Sequence, residues 1–178
     1  MNPYYTSQVL VGIAFLFGLT AVQFKERRSV LLCLFVSTVF NASHFLMLER
    51  PGAAALIALT GVRYLIAIRT TDRRVMYVFL CISVVLCLLT FRSALSLLAL
   101  FAVLVGTYGS FRPTDRVLRI YLMIGNSTWL LHNLLSRTLI GVIMEASFLS
   151  SNVIGYWRHY LAPQPAAEPD RNQSADAD

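Results

Sequence analysis

Arg63 and Glu145 have the strongest claim to chemistry in this chain, because each interrupts a run of apolar residues long enough to cross a membrane. A charged side chain at the centre of a bilayer costs about 2.5–3.5 kcal/mol on insertion scales, so its presence calls for a reason. The guanidinium of Arg63 offers a planar fork of donors suited to a carboxylate or a phosphate. Glu145 can hold Arg63 or carry a proton. Counted from the outer ends of their spans, Glu145 lies about 10 Å deep and Arg63 about 16 Å, a gap the arginine side chain can bridge. A pair of this kind can also be purely structural.

Helical spacing gathers further polar residues onto shared faces. Thr60 joins Arg63, with Leu56 one turn earlier, and Asn152 joins Glu145. Asn126, Trp129 and Asn133 form a stripe with His132 beside it, and Ser37, Asn41 and His44 form another. Stripes facing one another around a cavity would be hydrated and free to pair, whereas stripes facing lipid would be unsatisfied. Around a solute, Asn126, Asn133 and Asn152 would read hydroxyl or amide groups and Trp129 would supply an apolar wall, with Asn41, His44, Thr60 and His132 as outlying members. The plainer reading of a single Asn or His in a span is a tie between helices, and of Trp129 core packing.

Other chemistry is poorly served. The sequence has no Gly-rich phosphate loop, no GxSxG and no HExxH. Cys33, Cys81 and Cys87 fall inside apolar runs without metal-ligand spacing and read as small hydrophobes. His44, His132 and Glu145 share a depth, which leaves an intramembrane metal or hydrolase site as a minor reading. The expectation is a protein that is not an enzyme and carries no cofactor or metal.

The elements that must position these residues follow from composition. Of 178 residues 57% are hydrophobic and 13% charged, and the mean hydropathy is +0.64. So few charges cannot cover a water-soluble globule of this length. Seven spans fit, at about 5–24, 29–48, 52–68, 75–91, 94–111, 119–136 and 138–157, each near the roughly 20 residues a crossing requires. Lys and Arg alternate between loops: eleven lie after spans 1, 3, 5 and 7, and three (Arg50, Arg92, Arg137) on the other side. That bias predicts an outward N-terminus and a cytoplasmic C-terminus. The net charge of +6 comes from these loop clusters and not from a continuous patch, so nucleic acid is not an expected partner. No basic segment precedes the first apolar run, so no cleavable signal is expected. The tail 162–178, rich in Pro, Ala and acids, reads as disordered.

The chain also repeats itself. QFKERRSVL (23–31) sets against SFRPTDRVL (110–118), His44 against His132, and Gly52 and Arg69 against Gly141 and Arg158, at offsets drifting from 87 to 89. Three spans, one intervening span and three more give both units the same orientation. The division is a first three-helix bundle over 1–70, a linker span over 71–92 and a second bundle over 93–161. Span 4, without a polar stripe, reads as a lipid-facing linker. Small residues at Ser147, Ser151 and Gly155, and at Ala54, Ala58 and Gly61, form seams for bundle packing or for a homodimer.

Two stretches, RPGAAALIALTGVRYLIAIRT (50–70) and WLLHNLLSRTLIGVIMEASFLSSNVIGYWRH (129–159), resemble the YgjV family of bacterial inner-membrane proteins. The resemblance covers roughly 5–160 and implies an inner-membrane location without a settled activity. In layout the chain is more distantly similar to the SWEET and PQ-loop transporters, whose sugar site takes an Asn from the third and seventh spans. Asn152 matches on span 7, while Arg63 stands in the span 3 place. The Pro-Gln dipeptide and mid-helix prolines are missing, which puts that mode of gating in doubt. The expected function is therefore SWEET-like transport of a small anionic or zwitterionic solute through a polar cavity. The alternative is a non-transporting assembly or partner subunit whose polar residues are internal ties.

Overall fold

Among the described residues seven helices follow one another through short turns: α1 (Pro3–Ala21), α2 (Arg27–Met47), α3 (Pro51–Arg69), α4 (Arg73–Leu89), α5 (Ala94–Ser110), α6 (Asp115–Leu135) and α7 (Leu139–Tyr156). A π-helical turn, Trp157–Leu161, continues α7. The structure, a computed structural model, describes residues 3–49, 51–89, 91, 93–137 and 139–162, and among them there is no strand. The predicted tail, beyond Ala162, lies outside the described residues.

Helix α6 begins at Asp115, ahead of the predicted start at 119, because its first turn carries Asp115, Arg116 and Arg119. Hydropathy excludes such a turn, whereas the exposed N–H groups of a helix start favour an acid there. Helix α1 stops at Ala21 and not near 24, since the segment that follows is taken up in contacts with α6. The helices are 17–21 residues long, or about 26–32 Å at 1.5 Å per residue. Among the described residues α2 alone is long and apolar enough to register as a span in isolation; Tyr5–Ala21 and Ala94–Ser110 are apolar but shorter.

The side chains are distributed inside out relative to a water-soluble bundle. Leu16, Leu65, Leu88, Leu131 and Ile154 are exposed, whereas Ser7, Thr107, Ser110, Arg119 and Asn152 are fully buried. The largest fully buried side chain is Arg119. Surfaces of this kind are stable against hydrocarbon and not against water.

Helix α2 packs between α1 and α3, and α6 between α5 and α7. Helix α1 then meets α7, and α3 meets α5, so that six helices close a ring; α4 lies outside it against α5. The turns after α2 and α6 share one pattern. Leu48 N–H donates to His44 O and Glu49 N–H to Leu46 O, and 88 positions on Ser136 N–H donates to His132 O and Arg137 N–H to Leu134 O. Glu49 (φ 55°) and Arg137 (φ 57°) both occupy the left-handed region without being glycine.

One end of the ring is tightly sealed. Val22, Val30, Leu31, Ala67, Met76, Phe111 and Leu118 form an apolar core there, capped by arginines that meet the carbonyl ends of helices. Arg27 Nη2 donates to Ala67 O at the end of α3 (2.7 Å) and to Ser110 O at the end of α5 (2.6 Å). Arg119 donates to Val22 O and Phe24 O beyond α1, and its Nε to Asp115 Oδ2 at 2.6 Å. Among the described residues this is the single ion pair. Tyr160 Oη donates to the same Asp115 oxygen at 2.7 Å, and His159 Nε2 to Gln23 O at 2.7 Å. Burial, and then the bond to Asp115, pushes the Tyr160 phenol up to about 12.

Candidate functional site

Away from the sealed end the helices part, and two adjoining cavities open between them. The larger, about 620 Å³, lies among the first half of α3, the second half of α4 and the first half of α5, and reaches Trp129 and His132 on α6. The smaller, about 150 Å³, lies deeper in the ring among α3, α5 and α6. Thr60, Arg63, Val103 and Trp129 line both, so Arg63 stands at their junction.

Arg63 is 6% exposed. Its Nη1 donates to Thr107 Oγ1 on α5 at 2.6 Å, and its Cζ lies 4.8 Å from the centre of the Tyr64 ring. Its buried Nε has no partner. Thr107 Oγ1 in turn donates to Val103 O at 2.7 Å, which fixes the hydroxyl so that a lone pair faces the guanidinium. The bond is thus to a neutral group, and the charge of Arg63 is left uncompensated in an apolar setting. Such a site attracts an anion.

The predicted stripes divide on inspection. Thr60, Arg63 and Trp129 line both cavities, with Asn126 in the small one and His132 in the large one. His132 stacks edge-on against Trp129 at 5.2 Å, and its buried Nδ1 has no partner. Glu145 lines neither cavity and makes no ion pair with Arg63; it sits half-buried on α7. Asn133 packs instead against Gly141, where a Cβ would come within 2.7 Å of its side chain. Asn152 is fully buried and donates from Nδ2 to Arg119 O at 3.1 Å, a tie between α7 and α6. His44 donates from Nδ1 to Ser7 O at 2.8 Å and Ser37 Oγ to Ala14 O at 2.7 Å, so the α2 stripe faces α1; Asn41 is half-buried and lines neither cavity. No group of three His, Cys, Asp or Glu among the described residues is placed to hold a metal ion.

Two contributions were not foreseen. Helix α4, read as a lipid-facing linker, supplies Phe79, Ser83, Leu86 and Cys87 to the larger cavity. Helix α5 supplies Thr107 and, at Gly106, open space beside Arg63, 4.0 Å from where a Cβ would stand. The polar run GTYGS (106–110) at the end of an otherwise apolar span was the signal for the second; a mostly apolar helix gives none for the first.

The two seams that close the ring are unequal. Between α1 and α7, Ser151 Oγ donates to Leu19 O at 2.7 Å and Gln23 Nε2 to Ser151 Oγ at 2.8 Å. Gly18 lies so near Phe148 that a Cβ would meet the ring at 2.6 Å. The small-residue stripe of α7 therefore serves internal packing at Ser151 and at Gly155, which abuts Val22 O. Between α3 and α5 the hydrogen bonds among the described residues are that of Arg63 to Thr107 and the bridge by Arg27 at the sealed end.

Residues 5–162 match the family described as Imp-YgjV, bacterial inner membrane protein. The chain is 29% identical over 161 residues to the inner membrane protein YgjV of Escherichia coli (strain K12), an alignment covering 89% of this chain and 88% of that one. No solved structure matches, and the likeness to SWEET and PQ-loop transporters is not shown.

Proposed function

The chain belongs to the Imp-YgjV family of bacterial inner-membrane proteins, and from that premise we propose that it is a transporter or facilitator of a small anionic or zwitterionic solute. One observation carries the reading: Arg63, buried and without a counter-charge, stands where two connected cavities meet inside a ring of membrane helices. Asn126, Thr60 and Trp129 complete the polar face around it.

The architecture proposed is two parallel three-helix units, α1–α3 and α5–α7, joined by α4. The identical turns at Glu49 and Arg137 support it, as does the reciprocal closure in which the first helix of each unit meets the third of the other. The lysine and arginine bias supports an orientation with the sealed end in the cytoplasm and the N-terminus outside. In that orientation the cavities face the outer half of the membrane, as an outward-facing resting state would require.

A thermal-shift screen of the detergent-purified protein against organic acids, amino acids, phosphates, sugars and nucleosides tests this. Saturating stabilisation of the wild type by an anionic or zwitterionic solute, absent from a folded Arg63→Ala variant, is expected, with flux of that solute into liposomes. A solute present at 100 times its Kd adds about 2.7 kcal/mol. The second reading, a non-transporting partner subunit, is favoured by the ties at His44, Asn133 and Asn152. A flat response across the panel, with Arg63→Ala merely less stable, would replace transport with that reading.

A further inference from the structure

The two cavities differ in kind as well as in size. The smaller, at about 150 Å³, has Thr60, Tyr64 and Asn126 in its wall beside Arg63. The larger, at about 620 Å³, falls in the roughly 300–1,000 Å³ range of ligand sites, and is walled chiefly by apolar chains such as Leu56, Ile57, Leu86, Leu95 and Leu100. A fully polar solute would strand its hydroxyls against those leucines. A fully apolar one would leave Arg63 unpaired.

The way in is lateral. Helix α4 is tied to the α5 side near both its ends, through Cys87 Sγ to Ser96 O (3.5 Å) and Arg112 Nη2 to Met76 Sδ (3.3 Å). Helices α3 and α4 share the apolar cluster beside their connecting turn and do not pack along their length. The larger cavity lies between them, lined by Leu56, Ile57 and Thr60 of α3 and by Ser83, Leu86 and Cys87 of α4. Leu56, 51% exposed, stands in its wall.

From this geometry we infer that the ligand is an amphiphile with one anionic head on an apolar chain, which enters from the bilayer between α3 and α4 and seats its head on Arg63. The inference rests on the transport reading for the ligand's destination and narrows its substrate class. The head occupies the small cavity, within reach of the unpartnered Arg63 Nε. The chain lies in the large one. One cation calls for one negative charge, and a carboxylate or a phosphodiester on a single chain has that chemistry.

Trp129 lines both cavities and is one of two tryptophans; the other, Trp157, is exposed beyond the end of α7. A Trp157→Phe protein in lipid nanodiscs therefore reports on the site alone. The probes are ω-brominated alkyl carboxylates, whose bromine quenches indole on contact, with the matching bromo-alcohols as neutral controls. Saturable quenching by the carboxylates is expected, at least tenfold weaker for the alcohols and for Arg63→Gln. Referred to the free probe in water, the affinity of the carboxylates should rise about fourfold per added methylene until the cavity is full. Gly106→Val, which fills the small cavity from a helix position open to a Cβ, should weaken the carboxylates while sparing the alcohols. It decides the matter if Arg63→Gln does not fold.

Equal quenching by carboxylate and alcohol, or quenching untouched by both substitutions, would mean that the gap merely holds lipid and would overturn the inference. Stabilisation and flux by short hydrophilic anions, with no gain from chain length, would do the same while leaving transport intact. Saturable carboxylate binding without flux of any solute would uphold the site and remove the transport reading.

Discussion

Arg63 and Arg119 are both guanidiniums buried among apolar helices, and the chain satisfies them differently. Arg119 spends Nε on Asp115 and its two terminal nitrogens on Val22 O and Phe24 O, and its side chain is fully buried. Arg63 has one bond to a neutral hydroxyl and a buried Nε with none. Truncating Arg119 strands a carboxylate and two carbonyls, so Arg119→Met is expected to cost about 3–5 kcal/mol. The paired change Asp115→Leu with Arg119→Met should recover part of the loss, read as the melting temperature in detergent. Arg63→Met removes an uncompensated charge and should leave that temperature unchanged or higher, as expected of a residue kept for binding. Tyr160 supplies a pH test. Its phenol keeps its proton up to about 12, while an unfolded tyrosine releases it near 10. Burial of the phenol and its bond to Asp115 therefore leave stability undiminished below pH 10, and stability should fall as pH rises from 10 toward 12. Tyr160→Phe should lose that step in an alkaline melting series. Of these residues Arg63 was legible because a charge inside an apolar run announces itself. Arg119 read as one more loop cation, since nothing local shows that its side chain reaches the carbonyl end of α1.

Helix ends and close approaches carry the next level. Glu49 and Arg137 each hold a conformation that costs a non-glycine residue about 1–2 kcal/mol, in turns that end a helix. Glu49→Gly and Arg137→Gly should each raise stability, by about 0.5–1 kcal/mol after glycine's own entropy is counted, measured by thermal unfolding in detergent. The opposite is expected where α2 and α3 touch. A Cβ at Gly61 would meet Thr38 Oγ1 at 2.6 Å, and that hydroxyl is engaged by Phe35 O at 2.7 Å. Gly61→Ala should therefore cost about 1–3 kcal/mol. At this level the sequence was informative, because apolar runs bounded by charged or proline-containing turns define seven helices within a few residues. What it concealed was which helix lies beside which. Helix α4 lacks a polar stripe and so looked like a bystander, yet Ser83 and Cys87 face the larger cavity. Asn133 had the period of a cavity residue, and only the packing of α7 turns it to Gly141.

At the scale of the molecule, Arg27, Arg119 and most of the loop cations lie at one end, and the cavities with Arg63 lie toward the other. With the native cysteines replaced, a cysteine at Glu49 should react with an impermeant maleimide on intact spheroplasts, and one at Asp72 only after permeabilisation; the reverse pattern would invert the topology. That expectation rests on the charge bias of the loops, which carries no sign that the same end is the sealed one. The unequal seams have a mechanical consequence. The α1–α7 line, stitched by Ser151, Gln23 and the Gly18–Phe148 contact, behaves as the spine of a book. The α3–α5 line is its fore-edge, clasped at the foot by Arg27 and held midway by Arg63 to Thr107, with no further hydrogen bond toward the head among the described residues. Any flexing of the ring then pivots on α1 and α7 and parts the pages beside α4. The sheltering helix rides with the α5 cover, so the book opens and closes without α4 letting go.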